Sequence, residues 1–357
     1  MSDTAGPLVE APTAARVRNY PCPQCGADVV WHPGAARLRC DYCGFAREVA
    51  PSDDSTVRER PLAEELARPR DLGWGISRKR YRCATCGAIE SVEAGIAATR
   101  CAFCGTPSVI EAPARDDLVR PAGVLPFRVS RPQALERFRA WLGSLWFRPS
   151  DLRQRAELDG SMQGVYVPFW TFDAATVSRW RAEAGTRRGS GRNARVDWRP
   201  VAGTLEHLFD DLPVPGSTGL AGGEAQALEP FPTAELVPYD PGYLAGFVAE
   251  EYQRPLDAAW RDARARMEAI LREACRAEVP GDLCRNLRVE TTWSALAVKS
   301  GLLPVWIAAY RYGGKRFGYL VNGATGKATG SAPWSWLKIG VALAAVVTLL
   351  LLLASVN

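Results

Sequence analysis

The chain has 357 residues, a formal net charge of +5 and ten cysteines, with 47% hydrophobic and 23% charged residues. This is the composition of a chain that buries cores, which excludes a disordered, collagen-like or low-complexity protein. Only two histidines occur, His32 and His207. A histidine-rich metalloenzyme is therefore excluded, as is a zinc finger with two cysteine and two histidine ligands at normal spacing.

The first feature along the chain is a cysteine pattern that occurs twice. Residues 1–19 have no basic start followed by an apolar run, so they predict a disordered N-terminus without a cleavable signal. A CPQC motif, fourteen residues and a CDYC motif follow, and the pattern returns 61 residues later as CATC, fourteen residues and CAFC. The equal spacing indicates an internal duplication, with zinc ribbon 1 over 20–46 and zinc ribbon 2 over 80–111. The first set of cysteines is Cys22, Cys25, Cys40 and Cys43, and the second is Cys83, Cys86, Cys101 and Cys104.

The spacing predicts metal binding. Two cysteines separated by two residues direct both thiolates at one ion, and a glycine after the second lets the backbone turn back toward sulfur. Four thiolates fill the tetrahedral shell of Zn²⁺ and leave no position for water, so we expect two structural zinc ions per chain. Disulfide-bonded modules and iron–sulfur ligation are the alternatives. A cytoplasmic location disfavours disulfide bonds. Two Cys-x-x-Cys motifs per site favour zinc over an iron–sulfur cluster.

The region between and after the ribbons predicts a linker and then one larger domain. Residues 47–79 hold many charges and prolines, which is typical of a linker, with one short helix at 61–67. Each ribbon should therefore fold as a unit of its own. A central domain is predicted over 121–333, with apolar residues at helical spacing in two segments and β-branched and aromatic residues in two others. The helices are 132–147 and 255–278, and the strands and hairpins are 164–172 and 286–330.

The predicted fold class is therefore α+β: two tandem four-cysteine zinc ribbons, a central α+β domain with a mainly antiparallel sheet, and a C-terminal transmembrane helix. Within the central domain, GATGKAT at 323–329 resembles a phosphate-binding loop, but a match would need glycine at Val321 and Ser or Thr at Ala328. The Asn-Gly and Thr-Gly punctuation favours a hairpin turn there.

Basic residues suggest an anionic partner for the central domain. The stretch 179–199 carries seven arginines interleaved with Trp180 and Trp198. It is either a solvated hairpin loop or a binding site for the phosphates of nucleic acid or of lipid headgroups. The candidates for anionic-surface binding are Arg187, Arg188, Arg192, Lys315, Arg316 and Lys327.

The C-terminal residues predict a membrane segment over 337–356. Residues 339–356 carry no charge and would span roughly 27 Å as a helix, close to a hydrocarbon core of about 30 Å. Trp334, Trp336 and Lys338 lie at its start, as interfacial anchors do. A buried core helix is the alternative. No acidic residue follows Glu290, whereas six basic residues do, so the positive-inside rule predicts a single-pass, tail-anchored protein of the inner (cytoplasmic) membrane with its bulk in the cytoplasm.

Several segments resemble a known family. The chain is similar to bacterial proteins with two TFIIB-type zinc ribbons, a central domain and a C-terminal membrane attachment. The matching segments are CGFAREV and CGAIE near the ribbons, GVLPF at 123–127, GVYVPFWTFDAAT at 164–176, PYDPGYLAGFVAEEY at 238–252, and the run from 302 to 339. Relatives are often labelled primosomal or helicase-related, although this chain has no Walker A loop. The resemblance implies a scaffold found beside envelope-stress and SPFH-type proteins, and it brings no catalytic residues.

The predicted function is that of a non-enzymatic, zinc-binding scaffold or adaptor, tail-anchored in the membrane and mediating protein–protein interactions in membrane organisation or envelope stress. The expected partners are the lipid bilayer and other membrane-associated proteins, including SPFH-type ones. The alternative is a nucleic-acid-binding zinc-ribbon protein of replication or transcription. The first 121 residues have little net positive charge, which disfavours the alternative. No nucleophile motif appears, so an enzyme has the weakest support.

Overall fold

The fold is seen in a computed structural model, which describes most of the chain. The described residues are 21–49, 57–67, 78–93, 101–104, 106, 109–112, 119–152, 157–158, 162–189, 195–220 and 222–356. The predicted disordered segment 1–19 and the candidate Arg192 lie outside them, as do parts of the predicted linker at 47–79.

Strands dominate the described part of the chain. The strands are β1 (Val29–His32), β2 (Arg37–Cys40), β3 (Ala46–Arg47), β4 (Arg60–Pro61), β5 (Arg78–Cys83), β6 (Ile89–Glu93), β7 (Val109–Ala112), β8 (Gly123–Val124), β9 (Glu157–Leu158), β10 (Gln163–Arg188), β11 (Arg195–Pro215), β12 (Val237–Pro238), β13 (Val248–Glu250), β14 (Leu283–Tyr312), β15 (Lys315–Asn322) and β16 (Ala328–Gly330). The helices are α1 (Leu62–Ala67), α2 (Arg131–Ser144), α3 (Gly222–Leu228), α4 (Leu256–Ala277) and α5 (Trp336–Val356).

The central sheet is organised around β10. This strand of 26 residues pairs antiparallel with β11 on one side and β14 on the other, and β14 continues into the β14–β15–β16 meander. Residues 164–174 of β10 are all buried, as expected of a strand covered on both faces, whereas residues 177–184 mostly alternate between exposed and buried. The sheet therefore has a buried base and a half-exposed extension.

The extension, here called the arm, consists of residues 174–188 of β10 with their partners on β11 and β14. Helix α4 covers one face of it. Its buried residues recur every four positions, so they form one stripe along the helix, and they pack on apolar arm side chains such as Trp180 and Phe209. The face of the arm opposite α4, here called the open face, carries residues 177, 179, 181 and 183 of β10 and their partners.

The ribbons are joined to this architecture. Strands β1, β2 and β3 form a three-stranded sheet of their own, but the strands of the second ribbon do not. Strand β6 pairs with β13, which lies parallel beside β10, so β5, β6 and β7 form one end of the thirteen-stranded sheet. The prediction of two four-cysteine sites is confirmed, but the prediction that the second ribbon is separate from the central domain is wrong, because backbone pairing between β6 and β13 makes it part of the central sheet.

The membrane part of that prediction is also wrong. Residues 336–356 form helix α5, yet in the part of the chain that the structure describes no helix combines the length and apolarity needed to cross a membrane. This finding contradicts the predicted transmembrane helix over 337–356 and the predicted tail anchor. It also contradicts the predicted single-pass location in the inner membrane with the bulk of the chain in the cytoplasm.

Other local predictions are confirmed. The short helix at 61–67 and the helices at 132–147 and 255–278 correspond to α1, α2 and α4 with small shifts of their ends. The 323–329 segment joins the antiparallel strands β15 and β16, so it is a hairpin turn. The predicted strand at 164–172 is part of β10.

The alternative that the arginine stretch at 179–199 is a solvated loop is wrong, because residues 179–188 belong to β10 and residues 195–199 belong to β11.

Candidate metal centres

Each of the four Cys-x-x-Cys motifs folds as the same closed knuckle. In every one, the backbone N–H of the first cysteine donates to a carbonyl oxygen five residues later. The four hydrogen bonds are Cys22 to Ala27 at 2.6 Å, Cys40 to Phe45 at 2.8 Å, Cys83 to Ala88 at 2.9 Å and Cys101 to Thr106 at 2.9 Å. The repeated cysteine spacing in the sequence therefore corresponds to a repeated backbone conformation in the structure.

Glycine is required after the second cysteine. Gly26, Gly44 and Gly87 have φ values of 72°, 77° and 77°, a left-handed conformation that favours glycine. In this conformation the N–H of each glycine donates to the carbonyl of the first cysteine of its knuckle, for example Gly26 to Cys22 at 2.8 Å. The glycine lets both sulfur atoms of a knuckle face one point.

The eight sulfurs form two clusters that fit zinc. In the first, Cys22 Sγ lies 3.4 Å from Cys43 Sγ, and Cys25 Sγ lies 3.5 Å from Cys40 Sγ. In the second, the corresponding distances are 3.5 Å and 3.6 Å. Zn–S bonds of about 2.3 Å in a tetrahedron need sulfurs roughly 3.8 Å apart, so small outward shifts accommodate the ion. The two clusters hold two structural zinc ions, each within one repeat.

The thiols of the second cluster share protons unevenly. A hydrogen bond from Cys101 lowers the pKa of the Cys86 thiol to about 5, while the pKa of Cys101 is raised for the same reason and by its burial. Zinc binding releases the protons of the thiols.

The first ribbon docks on the central domain through Trp31. The indole N–H of Trp31 donates to the carbonyl of Phe127 at 3.1 Å, and the backbone N–H of Trp31 donates to the carbonyl of Ala245 at 3.0 Å. The indole ring also meets Tyr243 edge-on, with centroids 4.8 Å apart. Leu38 of this ribbon belongs to the same apolar core. The ribbon is therefore anchored by packing in addition to zinc.

This docking predicts a large effect of Trp31→Ala. Trp31 is 6% exposed, and truncating a buried tryptophan costs about 3–5 kcal/mol. We expect the free energy of unfolding, measured with urea, to fall by that amount. Tyr42→Ala is the matched control, because Tyr42 is an aromatic residue of the same ribbon that is 84% exposed. Equal stabilities of the two variants would contradict the docking.

The second ribbon is fixed by a buried carboxylate. Glu90 on β6 is 2% exposed, and its Oε1 accepts a hydrogen bond of 2.6 Å from the backbone N–H of Ala102, next to the zinc ligand Cys101. Burial raises the pKa of Glu90 to about 7. Glu250 on β13, opposite Glu90 in the sheet, is fully buried, and burial raises its pKa well above the usual range. Two buried acidic residues of the sheet, Glu90 and Glu250, thus lie near the second metal centre.

An ion pair completes the attachment. Arg80 of β5 donates through Nε to both carboxylate oxygens of Glu251, at 2.9 Å and 2.7 Å, with both side chains buried. Sequence reasoning did not identify Glu90, Arg80 or Glu251. Each lies in a segment of ordinary composition, and the charged pair is 171 residues apart in the chain.

The structure divides the predicted anionic-surface residues between distant places. Arg187 and Arg188 lie at the end of β10, beside the start of β14, and Arg188 is paired with Asp197 at 2.7 Å. Lys315 and Arg316 lie at the other end of β14, in the β14–β15 hairpin. Lys327 donates to the carbonyl of Glu229. The five described candidates do not form one surface.

These features define a zinc-ribbon protein. Residues 22–47 match the family model of the PriA DNA helicase Cys-rich region (CRR) domain. Over 331 residues the chain is 27% identical to the uncharacterized protein YdjG of Bacillus subtilis (strain 168), in an alignment that covers 90% of this chain and 92% of that protein. No solved structure matches the chain.

Proposed function

We propose that the chain is a non-enzymatic adaptor in which zinc fixes the ribbons on the central sheet and the arm binds an acidic surface of a protein partner. The observation that carries this proposal is a group of unpaired arginines on the open face. The zinc sites support it as well, because four thiolates leave no coordination position for a substrate.

Two arginines of the open face lie side by side. Arg181 of β10 and Arg288 of β14 are direct partners in the antiparallel register, and both are exposed. Like charges directly opposite one another destabilise a sheet. The nearby Glu183 does not neutralise them, because its two oxygens accept hydrogen bonds from Arg285, at 2.6 Å, and from Asn286, at 3.1 Å. An incoming carboxylate would remove this repulsion.

The rest of the open face suits a protein partner. Arg179 lies two residues before Arg181 on the same face and directly opposite Glu290 of β14, and no salt bridge within 4.0 Å engages Arg179 or Arg181 among the described residues. Leu208 is 72% exposed, and the Arg285 guanidinium stacks 4.0 Å above the ring of Trp198. Arginine and aromatic residues are enriched at protein interfaces.

The test compares two double variants of equal charge change. Arg181→Glu with Arg288→Glu reverses the open face, and Arg131→Glu with Arg139→Glu makes the same change on exposed positions of α2. Each purified protein is used as bait in nuclease-treated cell extract. We expect the wild type and the α2 variant to retain the same proteins and the open-face variant to lose them. Retention that is indifferent to the open-face reversal would refute the proposal.

A second candidate function is nucleic-acid binding by the first ribbon. The similarity of residues 22–47 to a region of a DNA helicase favours it, as does an exposed set of Arg37, Arg39, Arg47 and Tyr42. Bases stack on exposed aromatic rings, and arginines contact phosphates. Binding of a fluorescent single-stranded oligonucleotide at several salt concentrations separates the two functions. A steep salt dependence that Tyr42→Ala weakens would support this candidate over the adaptor.

A further inference from the structure

The base of the arm contains an irregularity in both strand pairings of β10. The register with β11 shifts between Phe172 and Ala174, and the register with β14 shifts between Asp173 and Ala175. On β11, Asp211 has a φ of 52°, and its backbone N–H donates to Asp173 Oδ1 at 2.6 Å. The two bulges therefore bring two aspartates from neighbouring strands together on the sheet.

Two further charged groups meet these aspartates. Lys299 of β14 places its Nζ 2.6 Å from Asp211 Oδ1 and 3.1 Å from Glu59 Oε1. Glu59, Asp173 and Asp211 each offer one carboxylate oxygen, and these oxygens lie within 4.8 Å of one another. Three carboxylates and one ammonium leave a formal charge of −2, equal and opposite to that of one divalent cation.

Two buried polar atoms in this place have no partner among the described residues. They are Asp173 Oδ2 and Thr171 Oγ1, in side chains that are 9% and 1% exposed. Thr171 lies two residues before Asp173, on the same face of β10, and directly opposite Lys299. A buried oxygen without a hydrogen bond is costly, and Lys299 reaches neither of them within hydrogen-bond distance. Both oxygens are free to coordinate an ion.

We propose that the chain binds one divalent, oxygen-preferring cation at Glu59, Asp173 and Asp211, separate from the two zinc sites. Ca²⁺ takes oxygen ligands at about 2.3–2.6 Å, so oxygens on opposite sides of the ion are up to roughly 5 Å apart, which the cluster allows. The Glu59 side chain is 48% exposed, so the ion has a route from solvent and water completes its coordination. Lys299 is the intramolecular competitor of the cation.

The experiment titrates CaCl2, and separately MnCl2, into the full-length zinc-loaded protein by calorimetry. Thiolates prefer zinc to these two ions, so the ribbons do not contribute to the signal. We expect one saturable site per chain. Asp173→Asn, which keeps the shape of the side chain, should weaken binding at least tenfold, and the solvent-exposed Glu59→Gln should weaken it several-fold. Lys299→Gln should tighten it, because the competing ammonium is removed.

The control is Glu206→Gln, which removes one exposed carboxylate from the open face. It should bind the cation as the wild type does. A zinc content of two per chain and an unchanged circular dichroism spectrum show that each variant is folded. Absence of a saturable site at millimolar cation, or equal affinities of the wild type, Asp173→Asn and Glu59→Gln, would overturn the proposal. Tightening by Lys299→Gln distinguishes the site from general surface binding.

Discussion

Removing one ligand of the second zinc site, by Cys101→Ser, is expected to unfold the central sheet together with the ribbon. A closed four-thiolate site supplies about 10–16 kcal/mol in isolated zinc fingers, which matches or exceeds the total stability of an ordinary domain. In this chain the strands of the second ribbon pair with β13, and Glu90 bonds to the residue after Cys101. Loss of the metal therefore removes ordered strands from the main sheet.

Zinc content and limited proteolysis measure this outcome. We expect Cys101→Ser to retain at most one zinc per chain, to lose its cooperative thermal transition, and to be degraded throughout 119–330. Cys284→Ser is the matched control, because Cys284 belongs to neither cluster. Cleavage confined to 78–112, with a stable remainder, would show instead that the second ribbon is an independent unit attached by a linker.

The parts of the fold that could be predicted from the sequence are those fixed by local chemistry. A Cys-x-x-Cys-Gly knuckle needs only neighbouring residues, so its spacing identifies the ligands and the pairing within each repeat. Helix α4 carries a buried residue at every fourth position, from Ala259 to Cys275, and this period is visible in one segment. The turn between β15 and β16 follows from Gly and Asn punctuation.

The parts that could not be predicted depend on contacts between distant segments. Nothing near Ile89 indicates that β6 will pair with β13, about 160 residues later, and the linker composition favoured independent ribbons. The structure of the arginine stretch at 179–199 also depends on contacts with distant segments. Its charges are typical of a solvated loop, yet alternate residues, such as Trp180 and Ala182, are buried against α4. The residues of this stretch alternate between the two faces of the sheet, but the many arginines favoured a loop over a strand in the sequence analysis.

The cation cluster shows a related limit. Asp173 and Asp211 are ordinary residues in the sequence, and Asp173 lies at the end of an apolar run. Only the two register shifts of β10 bring them together with Lys299. Bulges are not encoded by a simple pattern, so functional groups that depend on them are visible only in three dimensions.

The buried ion pair gives the second large expected effect. Arg80→Met removes the guanidinium that donates to both carboxylate oxygens of Glu251, a residue that is 1% exposed. Removing one partner of a buried ion pair costs about 3–5 kcal/mol, because the remaining buried charge loses a strong interaction. We expect the free energy of unfolding in urea to fall by this amount while the zinc content stays at two per chain.

Two further variants make this test specific to burial. Replacing both partners, by Arg80→Met with Glu251→Met, should restore most of the lost stability, because neither charge of the pair remains and apolar packing replaces it. Arg60→Met breaks the exposed pair with Glu65, whose atoms are 3.2 Å apart, and should cost less than about 1 kcal/mol. If Arg80→Met costs no more than Arg60→Met, the pair does not hold the second ribbon to the sheet. The attachment would then rest on the β6–β13 pairing and on Glu90 alone.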